Sequence, residues 1–199
     1  MNQYKEVIKM IYLVRHGQTD WNIEKKTQGH TDIPLNDNGK QQALTLSEKL
    51  KYLKIDKIYS SDLLRSKETA QIINSSFNLE IILDKRLREI NYGDLEGIPR
   101  TELNEEVWEI FNKTPEKLHA EPIIEVYNRI KSFFEEIEND KNILIVAHGG
   151  ALRVIMYYIN NKEIFNKEEY DKKYKDFKIK NADVFVWNNR DNKLIIYEV

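Results

Sequence analysis

Val7-Ile8-Lys9-Met10-Ile11-Tyr12-Leu13-Val14 runs straight into Arg15-His16-Gly17. A short, largely apolar run rich in β-branched residues suits a buried strand. The abrupt change to arginine, histidine and glycine puts polar chemistry at the strand's carboxyl end. A second stretch repeats the arrangement: Asn142-Ile143-Leu144-Ile145-Val146-Ala147 is nearly all apolar and ends at His148-Gly149-Gly150.

The intervening chain alternates in type. Ala43, Leu44, Leu46, Leu50 and Leu53 recur at helical spacing over 38–53, with Asn36 or Asp37 as N-cap. Lys57-Ile58-Tyr59-Ser60 predicts a second strand, 62–77 a helix packing through Leu64, Ala70, Ile72 and Ile73, and 80–83 a third strand. After an irregular stretch over 88–99, helices are predicted at about 102–111, 122–137 and 151–159. The charged segment 162–180 reads as a solvated helix or connection. Alternating residues over 183–187 and 194–199 flank 188–192 as a hairpin. The fold class expected is α/β: a three-layer α/β/α sandwich whose central sheet is mainly parallel, with antiparallel pairing at one side. Ligands in such sheets gather beyond the carboxyl ends of the strands. His16 and His148 share a site only if their strands are neighbours.

At 199 residues the chain suits a single domain, 1–199, with a short lid at about 91–121. Hydrophobic residues at 41% and charged residues at 32% describe a folded protein with a well-solvated surface. A net charge of −2 offers nucleic acid or an anionic membrane no general attraction, so anion binding has to be local. There is no cysteine, which excludes disulfides, thiolate nucleophiles and cysteine-ligated zinc. The N-terminus lacks a long apolar run and no segment approaches the roughly 18 apolar residues of a membrane span, so a cytoplasmic location is expected. The C-terminal strands leave an edge on which a second copy can pair, so a homodimer is allowed by the sequence.

Five blocks carry the chemistry: Arg15-His16-Gly17-Gln18-Thr19-x-x-Asn22, Gln28-Gly29-x-x-Asp32-x-Pro34-Leu35, Ser60-Ser61-Asp62-Leu63-x-Arg65-x-x-x-Thr69-Ala70, Leu87-Arg88-Glu89-x-x-x-Gly93-x-x-Glu96-Gly97 and Ala147-His148-Gly149-Gly150. In this order they resemble the histidine phosphatase superfamily, also called phosphoglycerate-mutase-like, over about 10–152. The resemblance implies that His16 is the nucleophile, that Arg15 and Arg65 bind phosphoryl oxygens, that His148 completes that pocket and that Glu89 is the proton donor. It places Asn22 at the phosphoryl group or substrate, with Gln28, Gly29 and Gly149 nearby, and Arg100 where mutases carry a substrate-binding lysine. Tyr92 is the residue expected to meet the organic part of the substrate.

The chemistry of these groups agrees with the assignment. A phosphoryl group in a loose transition state needs charge around its equatorial oxygens and an in-line nucleophile. Two guanidinium forks and an imidazolium at His148 can supply that charge, so neither metal nor cofactor is expected. His16 must be neutral to attack, and the neighbouring cations favour that form. Glu89 can serve both half-reactions if desolvation and the incoming phosphate raise its pKa. Each residue also has a plainer reading. Arg65 can pair with Glu68 or Asp62 on a helix surface, Glu89 can be an exposed loop acid, and Gly149-Gly150 can be only a turn. His30 reads as a surface residue near the site mouth and His119 as lid packing.

A phosphohistidine can pass its phosphoryl group to water or to a second hydroxyl. Only about 60 residues separate Glu89 from His148, and one full helix lies among them, so the lid is short and should admit water. Lys113 and Lys117 are the only cations between Thr101 and Glu121, without the arginine run of the mutases. A hydrolase acting on a small phosphomonoester is therefore expected, with mutase-type transfer as the alternative and a non-catalytic phosphoester-binding module as a remote one.

Overall fold

The computed structural model describes residues 9–137, 139–161, 164–175, 177–191 and 193–197. Val7 and Ile8 of the first expected strand, and 198–199 of the last, lie outside these residues. In chain order the elements are β1 (Met10–Arg15), α1 (Asp20–Ile23), α2 (Asp37–Leu50), β2 (Lys57–Ser60), α3 (Leu64–Asn74), β3 (Ile81–Leu83), α4 (Glu105–Lys113), α5 (Ile123–Glu136), β4 (Ile143–Ala147), α6 (Gly149–Asn161), α7 (Lys167–Lys173), β5 (Val184–Asn188) and β6 (Lys193–Tyr197). Short 3₁₀ turns stand at Lys85–Leu87, Gly93–Leu95 and Pro115–Leu118.

The six strands form one sheet in the order β3-β2-β4-β1-β5-β6. β1 to β4 run parallel, while β5 is antiparallel to β1 and β6 to β5. The expected mainly parallel sheet with one antiparallel side is therefore present. β1 and β4 are direct neighbours, with Arg15 opposite Ala147, and the His16 N–H continues the ladder to the Ala147 carbonyl at 3.0 Å. The two histidine-bearing tips meet for that reason.

Alternation along the strands feeds two separate apolar layers. Ile11, Leu13, Ile143, Ile145 and Phe185 face α5 and α6 through Val126, Ile130, Phe133, Leu152 and Ile155. Tyr12, Val14, Leu144, Val146 and Val184 face α2 and α3 through Leu46, Leu50, Ala70 and Ile73. Full burial of each such aliphatic side chain contributes about 1.5–3 kcal/mol relative to exposure. Both faces of β1 and β4 are covered, which explains why their sequences are continuous apolar runs rather than alternating ones.

Local chemistry sets the helix starts. The Asn36 side chain accepts from Gly39 N–H at 2.9 Å and Asn104 accepts from Val107 N–H at 3.0 Å. α3 has no side-chain cap of its own. Asp32 reaches across from the loop after Gly29 and accepts from Leu64 N–H at 2.6 Å. Of the charged stretch 162–180, only α7 is helical among the described residues. Among these residues no helix is long and apolar enough to cross a membrane.

Candidate active site

The loop after β1 is held from three directions. Gly17 N–H donates to Thr69 Oγ1 at 3.0 Å, and that hydroxyl donates to the Arg65 carbonyl one helical turn back. Asn181 Nδ2 donates to the His16 and Gly17 carbonyls at 3.1 and 3.2 Å and to Asn22 Oδ1 at 3.1 Å. Arg15 Nη1 donates to the Ile179 carbonyl at 2.5 Å. The nucleophile candidate thus sits on a braced strand tip rather than on a free loop.

His16 is 3% exposed. Its Nδ1 lies 2.7 Å from the Gly17 carbonyl, which can only accept, so Nδ1 carries the proton and Nε2 keeps the lone pair. Burial first, then the Arg65 and Arg15 charges, hold its pKa well below the ordinary imidazole range, with the Gly17 carbonyl pulling weakly the other way. The expected neutral imidazole is the form these surroundings favour, with burial a larger cause than the cations.

Arg65 is completely buried. Its Nη1 and Nη2 donate to the Thr31 and Gly29 carbonyls at 2.9 and 2.7 Å, and its Nε donates to His148 Nδ1 at 3.2 Å. Burial pushes its pKa down to about 10, which leaves it cationic at neutral pH. The surface-pairing alternative fails: Asp62 takes Arg88 in a two-pronged ion pair, and Glu68 accepts from Leu35 N–H.

Without a bound dianion His148 is not the imidazolium expected beside one. An arginine N–H always donates, so His148 Nδ1 must accept and the ring is neutral with its proton on Nε2. That Nε2 is buried without a partner, and the two imidazole rings stand 5.1 Å apart. Burial, then Arg65, hold the His148 pKa well below its usual value. His148 offers an uncharged N–H, and the cationic charge comes from the arginines.

Glu89 is no exposed loop acid. Its carboxylate accepts the N–H groups of Gly150, Ala151 and Ile90, each at 3.0 Å, at the amino end of α6, where backbone donors are free and the helix dipole favours an anion. Its own carbonyl is held by His30 Nε2 at 2.8 Å and Arg129 Nη2 at 3.0 Å. Burial by itself raises the Glu89 pKa. The Gly150 N–H, the Arg153 charge, the Ile90 N–H and Arg65 outweigh it, so the net shift is downward. Desolvation thus acts in the expected direction but does not by itself lift the pKa of this carboxylate.

Gly150 is more than a turn residue: a Cβ there would lie 2.3 Å from Glu89 Oε1 and 2.8 Å from Ile90 Cδ1. At Gly149 the same test finds only ordinary contact, 3.7 Å from Arg15 Nε. Alanine is the better helix former by up to about 1 kcal/mol, so any loss in Gly150→Ala comes from the clash. We expect that variant to keep its fold by circular dichroism and to lose about 10²-fold in kcat, the scale of a displaced catalytic group. Unchanged kcat would show that Glu89 has room to move without consequence.

Arg15, Asn22, Gln28, Gly29, Glu89, Tyr92, Arg100 and Gly149 all line one pocket of about 610 Å³. His16, Arg65 and His148 are buried behind its wall, Arg65 bonded to Gly29 and His148 preceding Gly149. Gly29 adopts a left-handed φ of +56°, and a Cβ would meet the Glu96 carboxylate. Glu96 in turn accepts from His30, Thr31 and Tyr92 N–H groups. His30 therefore braces the acid loop, and His119, expected in the lid's interior, is exposed and paired with Asp94.

Sequence reading missed several pocket residues. Arg153 lines the pocket from α6, one helical turn beyond Gly149, a spacing that could have revealed it. Lys175, Lys178 and Lys180 come from the segment read as a solvated connection, Asn181 from just beyond it, and Lys25 and Lys26 from the loop after α1. A chain of net charge −2 thus gathers eight Lys and Arg side chains around one opening, where Glu89 is the one carboxylate among the described residues. Among the described residues no group of three or more His, Asp or Glu side chains is arranged to hold a metal ion.

A sheet with two adjacent histidine-bearing tips, two inward arginines and a carboxylate at a helix start defines a class of phosphoryl-handling fold. The model of the histidine phosphatase superfamily (branch 1) matches residues 11–193, and the chain belongs to that superfamily. "Phosphoglycerate mutase-like protein 4" of Arabidopsis thaliana is 40% identical over 155 residues, which span 72% of this chain and 67% of that protein. "Uncharacterized phosphatase PhoE" of Bacillus subtilis (strain 168) is 37% identical over 155 residues, 75% of this chain and 77% of that one. Among solved structures, phosphoserine phosphatase from Entamoeba histolytica in complex with 3-phosphoglyceric acid superposes with a TM-score of 0.76 at 28% identity, covering 94% of each chain. Phosphatases and mutase-like proteins both stand among the relatives.

Proposed function

We propose that the chain is a phosphomonoester hydrolase that works through a phosphohistidine at His16 on a small phosphorylated metabolite. The observation that carries this reading is the fixed tautomer of His16, whose Nδ1–H is committed to the Gly17 carbonyl so that Nε2 stays a nucleophile. Nε2 attacks phosphorus, the ester P–O bond breaks, and the leaving alkoxide takes a proton from Glu89. Water then attacks the phosphohistidine and gives its proton to Glu89, releasing phosphate and restoring neutral His16. Arg15 and Arg65 neutralise the equatorial oxygens and His148 Nε2–H donates to one of them.

Because Glu89 is held ionised in the empty site, the first proton arrives with the substrate: a phosphomonoester bound as monoanion passes it to Glu89 and becomes the dianion. The cationic side chains around the pocket then hold that dianion. Hydrolysis is favoured over transfer by the small cover, since α4 and two 3₁₀ turns are the regular structure between Glu89 and α5. Arg100 at the pocket is what keeps mutase-type transfer as the second reading.

The guanidinium charge makes a metal unnecessary in this scheme, so p-nitrophenyl phosphate should be turned over at full rate in EDTA between pH 5 and 8. Loss of activity in EDTA, restored by a divalent ion, would overturn that part. A panel of phosphometabolites scored for free phosphate tests the reaction class. Rapid formation of 2-phosphoglycerate from 3-phosphoglycerate, stimulated by 2,3-bisphosphoglycerate, would replace hydrolase by mutase.

A further inference from the structure

A second cavity, of about 690 Å³, adjoins the phosphoryl pocket. Trp108 and Phe111 from α4, Ile123 at the start of α5, Phe165, and Tyr170 from α7 give it an apolar, largely aromatic side, and charged side chains, Lys113, Glu116, Glu121, Lys167 and Asp171 among them, line the remainder. The two spaces meet at Tyr92, Arg100, Arg153 and Lys175, which line both. α4 is amphipathic; Val107, Trp108 and Phe111 on its apolar face are partly buried against the main core, and Trp108 and Phe111 also border this chamber. Tyr92 stacks on Phe111 with ring centroids 5.1 Å apart, and Trp108 meets Phe111 edge-on at 5.7 Å. The Arg100 guanidinium lies 5.9 Å from the Tyr92 and Trp108 ring centroids, at the junction.

This arrangement suits a two-part ligand. A cavity lined by apolar and aromatic groups, with a few polar groups at one end, is the usual form of a site for an organic molecule, and roughly 300–1,000 Å³ is the range for drug-sized ones. A three-carbon acid ester would keep its phosphate in the first pocket and leave the aromatic walls without contact. A flat ring attached through a short chain would reach past the cationic junction and remove those walls from water.

We infer that the aromatic chamber between α4, α5 and α7 receives the alcohol portion of the substrate, and that the preferred substrates are phosphomonoesters of alcohols carrying a flat aromatic group. This rests on the hydrolase reading for turnover, while binding tests it separately. Phe111 and Ile123 set the preference and stand apart from the groups that hold the phosphoryl oxygens.

Naphthylethyl phosphate and ethyl phosphate release alcohols of matched basicity, so their ratio of kcat/KM reports the chamber and not leaving-group chemistry. The ratio in the native protein should be about 10- to 100-fold, the discrimination that added apolar contact provides. Phe111→Ala removes one wall and Ile123→Trp fills the space; each should lower the ratio about tenfold or more, mainly through KM of the naphthyl ester. Titration calorimetry with naphthylethylphosphonate and ethylphosphonate should show the same order of affinities and the same loss in both variants. Ratios near one in the native protein, or ratios untouched by both substitutions, would overturn the inference. If neither ester nor p-nitrophenyl phosphate is hydrolysed, the hydrolase reading fails, and the phosphonate titrations still decide the chamber.

Discussion

His16→Ala abolishes the trapped phosphoenzyme and lowers kcat by about 10⁴-fold or more, the scale seen when a nucleophile that acts as part of a unit is removed. The expectation follows from the ring's surroundings. Burial and the Arg65 and Arg15 charges keep the imidazole neutral, and the Gly17 carbonyl fixes which nitrogen bears the proton. No cysteine exists to substitute, and His148 cannot take over easily, because its Nδ1 is occupied by Arg65 and its Nε2 carries the proton. The measurement is rapid quench into alkali, where phosphohistidine survives, after mixing with a radiolabelled substrate. Orthophosphate affinity checks that the variant still folds its oxyanion pocket. A label of native size in the variant would remove His16 from the role of nucleophile.

The low His16 pKa also fixes the sign of the pH dependence. A neutral imidazole whose pKa lies well below the usual range stays competent as pH falls through 6, so His16 does not impose an acid limb near its ordinary value. The alkaline side responds to the substrate instead. Phosphomonoesters lose their second proton near a pKa of about 6, and the monoanion that delivers a proton to Glu89 is depleted above it.

How much of this was readable before the structure depended on the kind of force involved. β1 and β4 were legible because strands covered on both faces must be apolar at nearly every position. The pairing that brings His16 beside His148 was not, since no local pattern encodes which strands are neighbours; Arg15 opposite Ala147 is a tertiary fact. Thr69, Asp32 and Glu96 stood in the motifs without a stated task, and each proved to tie one loop to another by a side-chain-to-backbone bond. Such bonds leave no periodic trace.

The same holds for 174–181. Arg15 uses the Ile179 carbonyl, which any residue could provide, and Asn181 binds the backbone carbonyls of His16 and Gly17. A run of lysines there reads as a solvated surface until the fold bends it over the pocket. The protonation states of His148 and Glu89 in the protein without substrate were hidden for a related reason. Sequence shows which groups are charged and not which N–H points at them; one arginine Nε and three backbone donors decide both cases.

Glu89→Gln should lower kcat/KM by about 10²- to 10⁴-fold for alkyl phosphates, the usual range for a general acid-base group, and by much less for p-nitrophenyl phosphate, whose leaving group needs little protonation. Glutamine keeps nearly the same shape but cannot accept or release the proton, and with its oxygen kept on the Ala151 and Ile90 donors it turns an NH₂ toward the Gly150 N–H. Some loss of stability is therefore expected alongside the kinetic effect, and the comparison of kcat/KM between the two substrates in one variant separates them: misfolding lowers both equally, whereas a missing proton for the leaving group falls mainly on the alkyl ester, the slower water step being common to both and seen in kcat. The pH profile gives the second readout. If the substrate's own proton passes through Glu89, native kcat/KM for an alkyl ester declines above about pH 6 as the monoanion disappears, and Glu89→Gln flattens that decline, because the pathway that used the proton is gone. An alkyl-to-aryl ratio unchanged by the substitution would assign Glu89 to positioning at the start of α6 and leave the leaving group to be protonated by solvent.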